Sequence, residues 1–242
     1  MGSFLTVVTT RVPEGLSIVK PGSRCPSCAT PLRGVDNLPV ISFVLRRGHC
    51  HACQTRIPPR YLLLELGTGA AFVVLAARLS PLAVLLPYLV LTVGLIAASV
   101  IDLECRRIPA AVVYWTAATG APLLVVASAW THRYGALLTA LVAGSVTLGV
   151  YLAIVLAAPK GAMGFGDVRF APLCAGFLGW LGWRVAFAGM VSGIVLAGLF
   201  GIVLVISHRA GRKTKIPLGP FIAAGSFIAL ICGNGIAAIW LR

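Results

Sequence analysis

The sequence predicts an all-α polytopic membrane protein, because it combines a very apolar composition, long uncharged stretches and few acidic residues. Of the 242 residues, 59% are hydrophobic and 11% are charged, and the mean hydropathy is +0.97. Soluble domains have about 25% charged residues. About 20 consecutive apolar residues cross the hydrocarbon core of a bilayer, so the remaining question is how often this chain crosses it.

Seven stretches are candidates for transmembrane helices. Tyr61–Ala77 is long enough but contains Glu65, and Phe170–Trp183 reaches a spanning length only if its helix begins near Gly164. The other five contain no charged residue: Leu82–Ile101, Ala110–Thr131, Tyr134–Pro159, Val185–Ser207 and Ile216–Leu241. We therefore expect about seven transmembrane helices.

The chain divides into three predicted regions. Residues 1–10 are apolar but too short to span a bilayer, and we interpret them as the remnant of a first transmembrane helix, a helix stub. They do not resemble a secretory signal, because no basic segment precedes them and no cleavage site of small residues follows. Residues 11–60 are polar and basic, and residues 61–242 form the transmembrane domain.

The distribution of basic residues predicts the orientation. The net charge is +14, from 20 Lys and Arg against six Asp and Glu. If residues 11–60 are cytoplasmic and the seven spans alternate, 16 of the 20 basic residues lie inside, and the outside has only Arg78, Arg133, Arg184 and Arg242. Cytoplasmic loops carry such an excess. The charge is therefore expected to face anionic lipid headgroups, and no nucleic-acid partner is predicted.

Four cysteines in the polar region have the spacing of a metal site. Two C-x2-C pairs are separated by 21 residues and consist of Cys25, Cys28, Cys50 and Cys53. Each pair can direct two thiolates at one ion, and two pairs complete a tetrahedral shell. We predict a structural zinc ion in a small zinc-ribbon-like insert, with redox-active dithiols as the alternative. His49 and His51 are expected to be bystanders.

Two carboxylates are expected to meet at the cytoplasmic face. Asp102 follows the span Leu82–Ile101, and Asp167 begins the short span, so alternation places both on the same side at the same depth. Ionisable groups at membrane depth are functional candidates. Two adjacent carboxylates share a proton, as in aspartic proteases. Gly164 and Gly166 would let the backbone beside Asp167 approach a neighbouring helix or a substrate closely.

The helix ends suggest different roles for the two acids. Asp167 precedes its helix and lies at the positive end of the helix dipole, whereas Asp102 follows its helix and lies at the negative end. We therefore expect Asp167 to be the general base. Two other classes of function stay open: a transporter or channel that uses both acids as ion- or proton-binding groups, and a non-catalytic scaffold that docks through the zinc insert.

Several motifs, in order along the chain, resemble the type IV prepilin peptidases, which are bifunctional leader peptidases and N-methyltransferases. The segment "MGFGDVRF" is similar to the GxGD motif of that family, and "IDLECRRIP" to its first aspartate motif. The other similar segments are "GSFLTVVTTRVP", "SRCPSC", "DNLPVISFVLRRG", "GHCHACQTRIPPRYLLLELGTG" and "IPLGPFIAAG". The chain differs from the family pattern in having Thr6 in place of Asn and Ala110 in place of Asp or Asn.

The resemblance implies an aspartic endopeptidase in a prokaryotic plasma membrane, with Asp102 and Asp167 as its catalytic residues. The implied substrates are prepilins or pseudopilins, whose short basic leader is removed on the cytoplasmic side after a glycine. The resemblance also implies N-methylation of the new N-terminus with S-adenosylmethionine. That activity is associated with the N-terminal cytoplasmic region, and no individual cofactor-binding residue is predicted.

Overall fold

A computed structural model describes residues 2–17, 25, 27–28, 30, 48–157, 163–207 and 216–240. The chain forms two compact units, Met1–Val73 and Val74–Arg242. The segment 36–47, which is part of the resemblance described above, lies outside the described residues, as do ten of the sixteen basic residues expected on the cytoplasmic side. The functional division expected at residue 60 stays a prediction.

The first unit contains a short helix, α1 (Gly2–Arg11), the cysteine-containing segments and the beginning of α2 (Arg60–Arg78). The stub expected at residues 1–10 corresponds to α1. Between the helices, a tight loop is closed by the N–H of Ile57, which donates to the carbonyl oxygen of Gly48 at 2.7 Å. His49 and Arg56 form a β-bridge inside this loop.

The second unit is a bundle of helices that follow one another with short connections. They are α3 (Leu82–Cys105), α4 (Ala110–Thr131), α5 (Gly135–Ala157), α6 (Phe165–Leu181), α7 (Trp183–Ile206) and α8 (Gly219–Trp240). No β-strand occurs in the described part of the chain, so the all-α class is confirmed.

Five helices have the length and hydropathy of a membrane span, namely α2, α3, α4, α5 and α7. The protein is therefore a multi-pass membrane protein. Helix α6 has only 17 residues, and the part of α8 that can be judged on hydropathy, Gly219–Gly233, is short as well. All seven predicted spans correspond to helices, but the number of crossings stays a prediction.

Helix α6 is the centre of the second unit. It packs against every other helix of that unit, and ten of its 17 residues are buried. The long helices α5 and α7 are much more exposed, which is expected for side chains that face lipid. A Cβ atom on Gly179 would lie 2.7 Å from Cβ of Ala143, so only glycine allows α6 to approach α5 this closely.

Two buried hydrogen bonds fix the orientation of α6. The hydroxyl of Tyr88 on α3 donates to the carbonyl oxygen of Phe177 at 2.9 Å. The indole N–H of Trp180 donates to the hydroxyl of Ser128 on α4 at 2.7 Å. Both bonds lie in the C-terminal half of α6, and a buried donor left without a partner is costly. They hold the helix so that its first turn, which contains Asp167, has a defined position.

Candidate active site and metal centre

Asp102 lies in the last turn of α3 and is buried, with 5% of its surface exposed. The helix ends three residues later, where Arg106 adopts a left-handed conformation with φ of 51°. The N–H of Arg106 closes the final turn by donating to the backbone oxygen of Asp102 at 2.9 Å. The carboxylate therefore stands on a rigid helix end, immediately before the chain turns into the "RRIP" segment.

Asp167 lies in the first turn of α6 and is also buried, with 7% of its surface exposed. Gly164 precedes the helix in an extended conformation, and its carbonyl oxygen accepts the N–H of Asp167 at 3.1 Å. The N-cap residue, Gly164, has no side chain that could cap this helix N-terminus. Helix N-termini favour negative charge, so a carboxylate in this turn is stabilised there.

A backbone amide from a third helix reaches Asp102. Gly219 is the first residue of α8, and its N–H donates to Oδ2 of Asp102 at 2.9 Å. Hydrogen bonds to ionised acceptors are roughly twice as strong as neutral ones. Asp102 thus lies at the end of α3 and also beside the start of α8. Both carboxylates therefore adjoin a helix N-terminus. The expectation that Asp167 is the general base considered only the helix on which each acid lies, and it did not include the start of α8 beside Asp102.

Ile108 connects the two carboxylate positions. A Cβ atom on Gly219 would lie 3.0 Å from Cδ1 of Ile108, and a Cβ atom on Gly166 would lie 2.9 Å from Cβ of Ile108. Ile108 is therefore packed between the residue before Asp167 and the residue that donates to Asp102. The surroundings of the two acids therefore meet at this one side chain. The structure brings these residues, 65 positions apart in sequence, to one end of the bundle.

The two predicted support glycines have different surroundings. A Cβ atom on Gly166 would also lie 3.1 Å from the backbone N and O of Ile108, which cannot move aside as a side chain can. On Gly164 the nearest atom would be Oδ2 of Asp167 at 3.4 Å, an ordinary contact distance. Close backbone approach therefore requires glycine at position 166, and the space at position 164 would accept a methyl group.

Asp102 and Asp167 differ in chemical type from the other buried polar side chains of the bundle. Among the described residues, they are the two buried side chains of the Asp, Glu, Lys and Arg types. The other buried polar side chains are hydroxyls, and those of the second unit, Thr92, Thr116, Ser128 and Ser226, each donate to a carbonyl oxygen of their own helix. Two buried carboxyl groups close to each other are suited to holding one proton between them.

The four predicted cysteines come together in the first unit. Their Sγ atoms all lie within 4.8 Å of one another, and those of Cys25 and Cys53 are 3.8 Å apart. Four thiolates at the usual Zn–S distance of about 2.3 Å would be about 3.8 Å apart in a tetrahedron. All four are free thiols. The group can hold a metal ion, and His49 and His51 do not belong to it.

The two cysteine pairs repeat the same local hydrogen bonds. The N–H of Cys25 donates to the carbonyl oxygen of Thr30 at 3.0 Å, and the N–H of Cys50 donates to that of Thr55 at 3.0 Å. In the same way, the Thr30 hydroxyl lies 3.1 Å from Sγ of Cys28, and the Thr55 hydroxyl lies 3.2 Å from Sγ of Cys53. Each C-x2-C-x-T segment is thus one half of an approximately symmetric site.

The two threonines favour the thiolate form of the second cysteine in each pair, Cys28 and Cys53. Hydrogen bonds from the Thr55 side chain and backbone lower the pKa of Cys53 to about 6. Those from Thr30 likewise lower the pKa of Cys28. The thiolate, not the thiol, is the form that binds a metal. The equivalent spacing of the two threonines, two residues after the second cysteine of each pair, is the signal by which they could have been found in the sequence.

Gly219 and Ile108 were also missed as parts of the site. Both lie in motifs that the sequence analysis singled out, "IPLGPFIAAG" and "IDLECRRIP", but neither carries a reactive side chain. A glycine followed by proline at the beginning of an apolar helix indicates a helix start with a free N–H. Which side chain accepts that N–H depends on how the helices pack, and the sequence does not contain this information directly.

Two family models match this chain. Residues 1–79 match the bacterial peptidase A24 N-terminal domain, and residues 89–206 match the type IV leader peptidase family. No solved structure gave a significant match.

Three curated relatives extend over nearly the whole chain, and each is named a prepilin leader peptidase/N-methyltransferase. The protein from Aeromonas hydrophila is 30% identical and aligns with 100% of this chain and 90% of its own length. The protein from Pseudomonas putida is 30% identical, with 98% and 89% covered. The protein from Bacillus subtilis is 29% identical, with 100% and 94% covered. The resemblance read from the motifs is thereby confirmed, and the chain belongs to the type IV leader peptidase family.

Proposed function

We propose that this protein is a membrane aspartic endopeptidase that removes the leader peptide from prepilins or pseudopilins, and that Asp102 and Asp167 are its catalytic residues. The observation that carries the proposal is the buried carboxylate pair at one end of the bundle, connected through Ile108. The proposal also rests on family membership and on the names of the full-length relatives.

The chemistry needs one ionised and one protonated carboxyl group. The ionised group takes a proton from water as the water oxygen attacks the scissile carbonyl carbon, and the protonated group gives its proton to the carbonyl oxygen. The resulting tetrahedral diol collapses with cleavage of the C–N bond. The carboxyl group that took the proton from water gives it to the leaving amine, and the other carboxylate takes a proton from a diol hydroxyl, which restores the starting state of the pair. Burial of both groups supports this division, because adjacent like charges in a poorly hydrated site cannot both be ionised.

The site is proposed to lie at the cytoplasmic face. This assignment rests on the excess of basic residues on one side of the predicted spans, 16 against 4. The same excess supports a cytoplasmic position for the four-cysteine region, and thiols stay reduced in that compartment. The membrane is proposed to be the plasma membrane of a prokaryote, as the family implies.

The four cysteines are proposed to hold a structural zinc ion. Their sulfur positions fit a tetrahedral shell, and a metal would supply folding free energy to a polar segment with little core of its own. The same protein is proposed to methylate the new N-terminus. S-adenosylmethionine would supply the methyl group, and we assign the activity to the N-terminal region without naming residues that bind it.

The transporter alternative receives no support from the comparisons. A transport path would need further polar or charged groups along the helices. In the described part of the bundle, buried Asp, Glu, Lys and Arg side chains are restricted to the pair at one end.

The test is processing of a co-expressed prepilin, followed as loss of the leader on a gel. Wild type should convert the precursor, and Asp102→Ala or Asp167→Ala should slow conversion by at least about 100-fold, the usual contribution of a general acid or base. Equal membrane levels of the variants are the control. Processing that survives both substitutions would exclude the protease and favour the scaffold. The mass of the mature N-terminus separately reports whether a methyl group was added.

A further inference from the structure

The start of α8 is built around the side chain of Asp102. Gly219 donates its N–H to Oδ2 at 2.9 Å. A Cβ atom at position 219 would lie 2.8 Å from the same Oδ2 and 3.2 Å from Cβ of Asp102. Distances below 3.0 Å to a side chain on a rigid helix end require something to shift. A methyl group at position 219 would therefore require the Asp102 carboxylate or the start of α8 to shift.

The neighbouring packing leaves little room for adjustment. Ile108 would lie 3.0 Å from the added Cβ atom, and it is held on its other side by Gly166. Asp102 itself stands in the last turn of α3, which packs against α8. A methyl group on residue 219 would thus push the Asp102 carboxylate away from the amide or separate α8 from α3.

Gly219 does not need to contact the substrate to affect the reaction. The hydrogen bond fixes one oxygen of Asp102, so the other oxygen has a defined direction for proton transfer. A displacement of about 1 Å in such a group can cost about 100-fold in rate. The bond also stabilises negative charge on Asp102 from the beginning of a helix.

We propose that Gly219 is a positioning residue of the active site: its backbone N–H, made accessible by the missing side chain, fixes the carboxylate of Asp102 relative to Asp167. This inference rests on the proposed function, because it concerns how that carboxylate pair is held. It assigns a function to the start of the last helix, which contributes no reactive side chain.

The kinetic test compares Gly219→Ala with Gly135→Ala in purified full-length protein. Gly135 is also the first residue of a helix, and a Cβ atom there would meet nothing within 4 Å. We expect Gly219→Ala to lower kcat for leader cleavage by roughly 10- to 100-fold with KM unchanged. Gly135→Ala should stay within about twofold of wild type. If both variants have the kcat of wild type, or if Gly219→Ala raises KM alone, Gly219 is not a positioning residue.

A second measurement does not depend on catalysis. Because the closest contact of the added methyl group is Oδ2 of Asp102, the fall in Tm caused by Gly219→Ala should be smaller in an Asp102→Ala background. Equal falls in both backgrounds would overturn the inference. Should Gly219→Ala fail to accumulate, its level in the Asp102→Ala background decides: recovery supports the contact, and no recovery contradicts it.

The two measurements separate this inference from the proposed function. If Asp102→Ala still cleaves prepilin while the Tm effects remain coupled, the protease assignment fails and the contact stands. If Asp102→Ala is inactive but Gly219→Ala behaves like Gly135→Ala, the protease assignment stands and the positioning role fails.

Discussion

The protein has two candidate sites that are assembled in different ways. The four-cysteine group consists of two short segments that repeat the same backbone and side-chain hydrogen bonds. The carboxylate pair depends on the ends of three helices, and its Asp102–Gly219 hydrogen bond joins residues 117 positions apart. The first site therefore depends on local turns, whereas the second depends on how α3, α6 and α8 pack.

This difference determines which changes should damage each site. A cysteine substitution should affect the metal and leave the carboxylates in place, because Asp102 and Asp167 lie entirely in the other compact unit. A methyl group added between the helices of the bundle should affect the carboxylates and leave the metal in place. The following predictions test this separation, beginning with the largest expected effect.

The largest effect is expected from removal of a metal ligand. Cys50→Ser should reduce bound zinc from about one ion per chain to nearly none, because it removes one of the four thiolates of the tetrahedral shell. The complete shell of a structural zinc ion contributes about 10–16 kcal/mol at neutral pH. Metal analysis of the purified protein gives the result, with Cys232→Ser, an exposed cysteine outside the group, as the control. Leader cleavage should fall far less than in Asp102→Ala. If the variant retains full zinc, Cys50 is not a ligand of a metal ion.

The two glycines beside Asp167 should respond differently. Gly166→Ala should lower the cleavage rate by roughly 10- to 100-fold, because the new methyl group would meet the backbone of Ile108 and displace the start of α6. Gly164→Ala should change it by no more than about twofold, since its nearest contact is an ordinary one and its backbone is extended. Rates measured on matched amounts of folded protein give the comparison, and an equal loss in both variants would contradict it. Zinc content should not change in either.

The smallest effect on leader cleavage is expected from the threonines that support the cysteines, because their substitution should act on metal affinity. Thr30→Val and Thr55→Val each remove a hydroxyl beside a ligand sulfur, and such partners are worth about 10- to 100-fold in metal affinity. Competition with a chelator should show a similar weakening for both, because the two halves of the site have the same bonds. Cleavage should stay near that of wild type. A large loss in one variant and none in the other would show that the halves are not equivalent.

The sequence predicted the parts of the structure that depend on local spacing. The two C-x2-C pairs identified the four-cysteine group, because each pair by itself directs two sulfur atoms at one ion and the rest of the fold needs only to bring the two turns together. The long uncharged stretches identified α3, α4, α5 and α7, because lipid-facing helices must be apolar on their whole surface. The common side of Asp102 and Asp167 followed from counting helices, and the structure does bring these two residues together.

What the sequence could not supply is the packing of the central helix. Helix α6 gave a weak signal as a membrane span because it is short, and the structure shows that it is enclosed by other helices. The contribution of Gly219 depends on the approach of α8 to α3, and a glycine leaves no pattern of polarity to reveal it. Asp167 was assigned as the general base from the helix ends alone, and that assignment did not include the start of α8 beside Asp102. The division of roles between the two acids therefore stays a prediction.

The central claim is that Asp102 and Asp167 act as one unit, and a double-mutant cycle on cleavage tests it most directly. Single-turnover rates would be measured for Asp102→Ala, Asp167→Ala and the double variant at equal protein levels. Residues that act together give non-additive losses. The double variant should therefore be no slower than the slower of the two single variants. A single variant that keeps more than about a tenth of the wild-type rate has lost less than the roughly 100-fold expected for a general acid or base. Such a variant would contradict the shared mechanism.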